Sequence, residues 1–166
     1  MKSPASSLLL LLATTGAAKC GPADPATPKL THLLTAKVTA SEGVPIGDSI
    51  IGNRTAFPIT GGTFTGLISG KLLPVGADFS IIRPNGKFSP DGIAVLQTDD
   101  GANILFRDQG YESKDGYIYG AVTFETGAEK YQWLNYVVAV SSAKVSTGAS
   151  GADVGLEIYF LGPAGP

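Results

Sequence analysis

The sequence predicts an all-β protein, an antiparallel barrel of eight or nine strands around a small-molecule cavity. Three observations carry this. Composition is rich in glycine, with 22 residues against a single methionine, and Thr, Val, Ile and Tyr are plentiful, which favours turns and strands over helices. Short alternating apolar runs are separated by Gly, Pro and Asp-Gly turn signals. No window sustains helical periodicity, and no long crossover divides the runs. A chain of 166 residues is one domain's worth. Sandwich and barrel both fit this pattern. The barrel is favoured because closure removes exposed edges and the glycines supply its bends.

In chain order, residues 1–18 form a secretory signal peptide. Lys2 gives a positive start, Leu8 to Leu12 with Ala13 an apolar core, and Gly16-Ala17-Ala18 the small residues for cleavage near Ala18. That core is too short to span a bilayer. The expected destination is the secretory pathway or the extracellular space. Residues 19–28 are a Pro-rich flexible leader carrying Cys20, the only cysteine, so an internal disulfide is impossible. Residues 29–162 are the barrel domain and 163–166 a tail. The first strand alternates through Leu30, His32, Leu34, Ala36 and Val38. Residues 43–54 read as a loop bearing the sequon Asn53-Arg54-Thr55, a candidate N-glycosylation site. Pro58 and Gly61-Gly62 are expected to break regular structure before Thr63. The run to Phe79, punctuated by Gly62, Gly66, Gly70 and Gly76, reads as a strongly curved strand that walls a cavity.

Further strands follow at residues 77–83, 92–98 and 102–107, the last two joined by the hairpin signal Asp99-Asp100-Gly101. Residues 108–116 read as a polar loop and 117–126 as a strand. Residues 127–131 read as a loop or single helical turn, and 133–142 as a long strand. A Gly/Ser loop at 146–152 precedes the last strand at 154–161.

The charge balance, 12 basic against 14 acidic residues, gives no basic patch for nucleic acid or an anionic membrane. One histidine and one cysteine cannot build a multi-histidine or paired-cysteine metal site. Phosphate loops and nucleophile elbows are missing. What remains is a set of isolated polar and aromatic side chains. His32, Asp78, Arg107 and Glu125 are candidate acid, base or hydrogen-bonding groups. Phe79, Arg83, Tyr119, Trp133 and Asn135 are candidate substrate contacts. A two-carboxylate hydrolase drawing on Asp78, Asp91, Asp99, Asp100 and Glu125 is also compatible with the residues.

Several motifs in register resemble one family. Pro58-Ile59-Thr60-Gly61-Gly62-Thr63-Phe64, Gly76-Ala77-Asp78-Phe79, Arg83-Pro84-Asn85-Gly86, Thr98-Asp99-Asp100-Gly101, and Phe124-Glu125-Thr126-Gly127 with Tyr131 and Trp133-Leu134-Asn135 are similar to those of DUF3237 (UPF0311). The resemblance spans roughly residues 30–161. Members commonly carry Gly-Gly-Ala-Asp-Trp where this chain has Val75-Gly76-Ala77-Asp78-Phe79. The resemblance implies a lipocalin-like barrel. Secreted fungal members imply a pericyclase role in secondary metabolism: a hetero-Diels–Alder addition of a quinone methide to an apolar alkene, as in tropolone–sesquiterpenoid biosynthesis. On this reading no cofactor or metal is needed. The partner is a small apolar metabolite, with no nucleic acid and no membrane anchor, and a homodimer is compatible. The alternatives are a carrier of the same fold or a secreted structural protein.

Overall fold

The computed structural model describes residues 27–148 and 151–163. The signal peptide, Cys20 and most of the leader therefore lie outside the described residues. The elements are β1 (Leu30–Ser41), β2 (Val44–Ser49), β3 (Gly52–Gly66), β4 (Gly70–Asp78), β5 (Ile81–Ile82), β6 (Phe88–Ser89), β7 (Asp91–Thr98), β8 (Asn103–Glu112), β9 (Ile118–Glu125), a 3-10 helix (Glu129–Tyr136), β10 (Ala139–Gly148) and β11 (Gly151–Leu161). Eight strands pair antiparallel in the order β1-β11-β10-β9-β8-β7-β4-β3, and β3 pairs back onto β1. The barrel is closed. The short strands β2, β5 and β6 build a side sheet on the first half of β3.

Alternation along each strand sends one set of side chains inward. The largest fully buried ones include Leu34, Phe64, Ile104, Leu134 and Ile158. Apart from Leu134, which the 3-10 helix supplies, they come from the start of β1, the end of β3, the start of β8 and the end of β11, which the register brings to one end of the barrel. The 3-10 helix closes that end with Tyr131 and Leu134, three residues apart and both buried, as three residues per turn requires. Asp100 fastens the helix to the β7–β8 hairpin, accepting bonds from Lys130 Nζ at 2.6 Å and the Tyr131 hydroxyl at 2.9 Å.

Several sequence expectations are corrected. Residues 43–54 are not a loop; they form β2 and the start of β3, so Asn53 stands on a strand, exposed, with its Nδ2 donating to Asp48 Oδ1 at 2.8 Å. Pro58 and Gly61-Gly62 do not interrupt β3. The strand runs through them, with register shifts against both β1 and β4 absorbing the irregularity. Residues 108–112 continue β8 instead of opening a loop. The expected strand at 133–142 is a helix up to Tyr136, with strand only from Ala139. Local side-chain bonds decide that difference. Asn135 Oδ1 accepts from Thr126 N at 2.8 Å, and its Nδ2 donates to Thr126 O at 2.9 Å, tying the helix to the end of β9.

Candidate functional site

At the end away from the 3-10 helix the barrel is open, and a cavity of about 180 Å³ occupies its mouth. Its wall is almost wholly apolar: Val38 and Ala40 at the end of β1, Phe57 and Ile59 on β3, Phe106 on β8, and Val154 on β11, among others. Two ionisable side chains line it, Asp78 and Asp108.

The register explains why they meet. Asp78 is opposite Gly92, and Gly92 is opposite Asp108. The two aspartates thus occupy one rung, separated by a residue without a side chain, with Cα atoms roughly 10 Å apart at ordinary strand spacing. A Cβ placed on Gly92 meets only Asp108 O, at 3.7 Å. The space over Gly92, between the strands of the two aspartates, is therefore open.

Each carboxylate is held differently. Asp78 Oδ1 accepts from the Asp91 amide at 2.8 Å. Burial pushes the Asp78 carboxyl above its ordinary range, opposed by the nearby Ser80 hydroxyl, the Asp91 amide and Arg54. Ser80 Oγ acts on Asp78 without reaching hydrogen-bond geometry, and it is the one buried side-chain oxygen left unpartnered among the described residues. Asp108 Oδ1 accepts from Ser141 Oγ at 2.9 Å. Burial, and less strongly the Asp78 charge, push the Asp108 carboxyl up to about 6. With fewer groups favouring its charge, Asp108 holds a proton more readily than Asp78, up to about pH 6.

The other residues proposed from sequence lie elsewhere. His32 is half exposed near the closed end, with Nε2 2.8 Å from Glu157 Oε2. Arg107 and Glu125 pair at 3.7 Å with both side chains well exposed. Glu125 and Asn135 border a shallow open groove beside Thr126. Tyr119 is exposed and stacks on Tyr117. Arg83 donates to Ser89 Oγ at 3.0 Å and lies over the Tyr111 ring. Trp133 packs edge-on to Phe160 at 5.9 Å, against the core. Phe79 is beyond β4, and its carbonyl accepts from Arg54 Nη1 at 2.6 Å. Of the named set, only Asp78 lines the cavity. Asp108 was missed, although a signal existed. It continues the inward phase of Ile104 and Phe106, so a carboxylate stands where alternation demands an apolar side chain.

The chain has relatives among known proteins. The model of the family described as protein of unknown function (DUF3237) matches residues 28–161. A UPF0311 protein of Bradyrhizobium diazoefficiens is 37% identical over 136 residues, covering 70% of this chain and 90% of the relative. The hydroalkoxylation enzyme phnH of Penicillium herquei is 31% identical over 115 residues, covering 69% of this chain and 74% of the relative. The crystal structure of a beta-barrel like protein from Acinetobacter baumannii superposes with a TM-score of 0.75 at 31% identity, covering 84% of this chain and 99% of the other.

Proposed function

The chain belongs to the DUF3237 family, and on that premise we propose that it is an acid–base catalyst closing a carbon–oxygen bond on an apolar metabolite in the barrel mouth. The observation that carries this is the Asp78–Gly92–Asp108 rung: two carboxyl groups, one favouring its proton, stand on one rung of an apolar wall with open space over Gly92 between their strands. Such a pair suits the addition of a hydroxyl across an alkene. Protonated Asp108 delivers its proton to one alkene carbon while Asp78 takes the hydroxyl proton. The O–H bond and the π bond break, and C–O and C–H bonds form. The proton has then moved from one aspartate to the other, and exchange with solvent restores the pair. Each positioned proton transfer is worth roughly 10²–10⁴ in rate. The apolar wall holds hydroxyl and alkene at reacting distance and excludes water. The name of the fungal relative, a hydroalkoxylation enzyme, supports this class.

A second reading is the hetero-Diels–Alder addition. Here the same pair expels water from a precursor to make the quinone methide, and the apolar wall then aligns it with the alkene. One isotope experiment tests the first reading, because ortho-prenylphenol has no hydroxyl to expel as water and cannot reach the quinone methide by dehydration. With ortho-prenylphenol as the probe in D2O, hydroalkoxylation leaves one deuterium on the carbon that accepts the proton. Cyclised product without deuterium overturns the proton-transfer route, and binding without product indicates a carrier.

The pH dependence follows from the same pair. Turnover requires one proton shared between the two carboxyls, so activity falls as pH rises through about 6, where Asp108 loses its proton. It also falls toward acid pH, where Asp78, its carboxyl raised above the ordinary range by burial, gains one. An alkaline optimum contradicts the assignment. We further propose secretion with a glycan on Asn53, which stands exposed. A glycosidase-induced mass loss on the secreted protein is the expected result.

A further inference from the structure

Resting on the proton-transfer reading, we propose that Ser141 and Gly120 are the positioning residues that seat the Asp108 carboxyl with one oxygen fixed and the other presented to the ligand. The register makes the device possible. Asp108 on β8 is opposite Val122 on β9, while Gly120 on β9 is opposite Ser141 on β10. To reach β10 from β8, the Asp108 side chain must cross β9, and it crosses at Gly120. A Cβ there would overlap Asp108 Oδ1 and lie 2.6 Å from Ser141 Oγ. Gly120 is therefore a passage for a side chain.

Ser141 completes the seat. It is buried, 3% exposed, and its hydroxyl donates to Asp108 Oδ1 at 2.9 Å. Asp108 Oδ2 has no hydrogen-bond partner among the described residues and is not sealed from solvent. The fixed oxygen thus accepts from serine, and the free one carries the transferable proton. The remaining surroundings are Asp78 on β4 across Gly92, and apolar Phe106, Ile118 and Ala143; no third ionisable side chain lines the cavity among the described residues.

A double-mutant cycle on Asp108 titration tests the device without any substrate. The carboxyl carbon of Asp108 is followed by NMR against pH in the full chain labelled at aspartate. The Ser141 bond favours the charged form, so Ser141→Ala moves the Asp108 midpoint upward, by roughly one pH unit. Ser141→Thr, which keeps the hydroxyl, moves it back. Gly120→Ala meets the movable end of a side chain, so the variant folds but unseats Asp108. In the Gly120→Ala background, Ser141→Ala then has no further effect on the midpoint. An unmoved midpoint in Ser141→Ala, or an equal shift in both backgrounds, overturns the proposal. With ortho-prenylphenol, the alkaline limb of the activity profile moves up in Ser141→Ala together with the titration. A full titration cycle in a protein that never turns over would leave the seat standing and remove the proton-transfer reading instead.

Discussion

Asp108→Asn loses turnover of ortho-prenylphenol by roughly 10²–10⁴-fold and melts at a higher temperature than the parent protein at neutral pH. The two effects have one cause. An ordinary aspartate titrates near 3.8, and burial carries Asp108 to about 6 in the fold. Between these values the native state holds more protons than the unfolded chain, so stability declines as pH rises from about 4 to about 6 and stays reduced above. The loss is on the order of 2–3 kcal/mol. Asn keeps an oxygen for Ser141 and removes the charge, so the variant escapes that penalty. The melting temperatures of parent and variant converge near pH 4, separate between about pH 4 and 6, and stay apart above. A variant that is less stable at pH 7 and equally active would make Asp108 a structural carboxylate.

Gly62→Ala opens the barrel. Gly62 is opposite Val38 on β1 and Leu72 on β4, in the stretch where β3 closes the sheet. Its φ is 149°, within the region that disfavours an L side chain. A Cβ there would overlap Lys37 O and lie 3.1 Å from the Val38 Cα. The obstacle is backbone, which cannot swing aside as a side chain can. Destabilisation of about 3 kcal/mol or more is expected, read as a lower denaturant midpoint. An Ala variant as stable as the parent would mean that β1 and β3 do not approach as closely as the closed barrel requires.

How much of this was legible beforehand depends on the range of the interactions. Strand alternation at Leu34, Ala36 and Val38, and the Asp-Gly hairpin at residues 100–101, are local signals, and they produced the barrel. Residues 127–131 read as a loop or single helical turn, and the helix's extension to Tyr136 is hidden because Asn135 caps a residue nine positions away and Asp100 clamps Lys130 and Tyr131 from another hairpin. Neither bond has a trace in local periodicity. The run to Phe79 reads as one curved strand but is a hairpin, with β3 ending at Gly66 and β4 starting at Gly70, and β3 passes through Pro58 and Gly62 because register shifts against two neighbouring strands absorb the irregularity.

The site was half legible for a similar reason. Asp78 stood out because turn residues flank it and family motifs surround it. Asp108 was hidden in a polar run, Asp108-Gln109-Gly110, that reads as a loop until the pairing with β7 and β9 is known. His32, Arg107, Glu125 and Tyr119 were chemically reasonable choices, but in strands the decisive property is inward or outward phase. A bulge between His32 and Leu34 and the strongly exposed Arg107–Glu125 pair take these groups away from the mouth.

The central claim is that a ligand binds between Asp78 and Asp108, in the space that Gly92 leaves empty. Gly92→Leu tests it most directly, because the backbone there tolerates a side chain and Leu fills the open space the ligand would occupy. The measurement is ortho-prenylphenol binding by calorimetry, alongside the melting temperature. A folded Gly92→Leu protein that no longer binds the phenol is the predicted result. A folded variant that binds and converts it as the parent does would contradict the account.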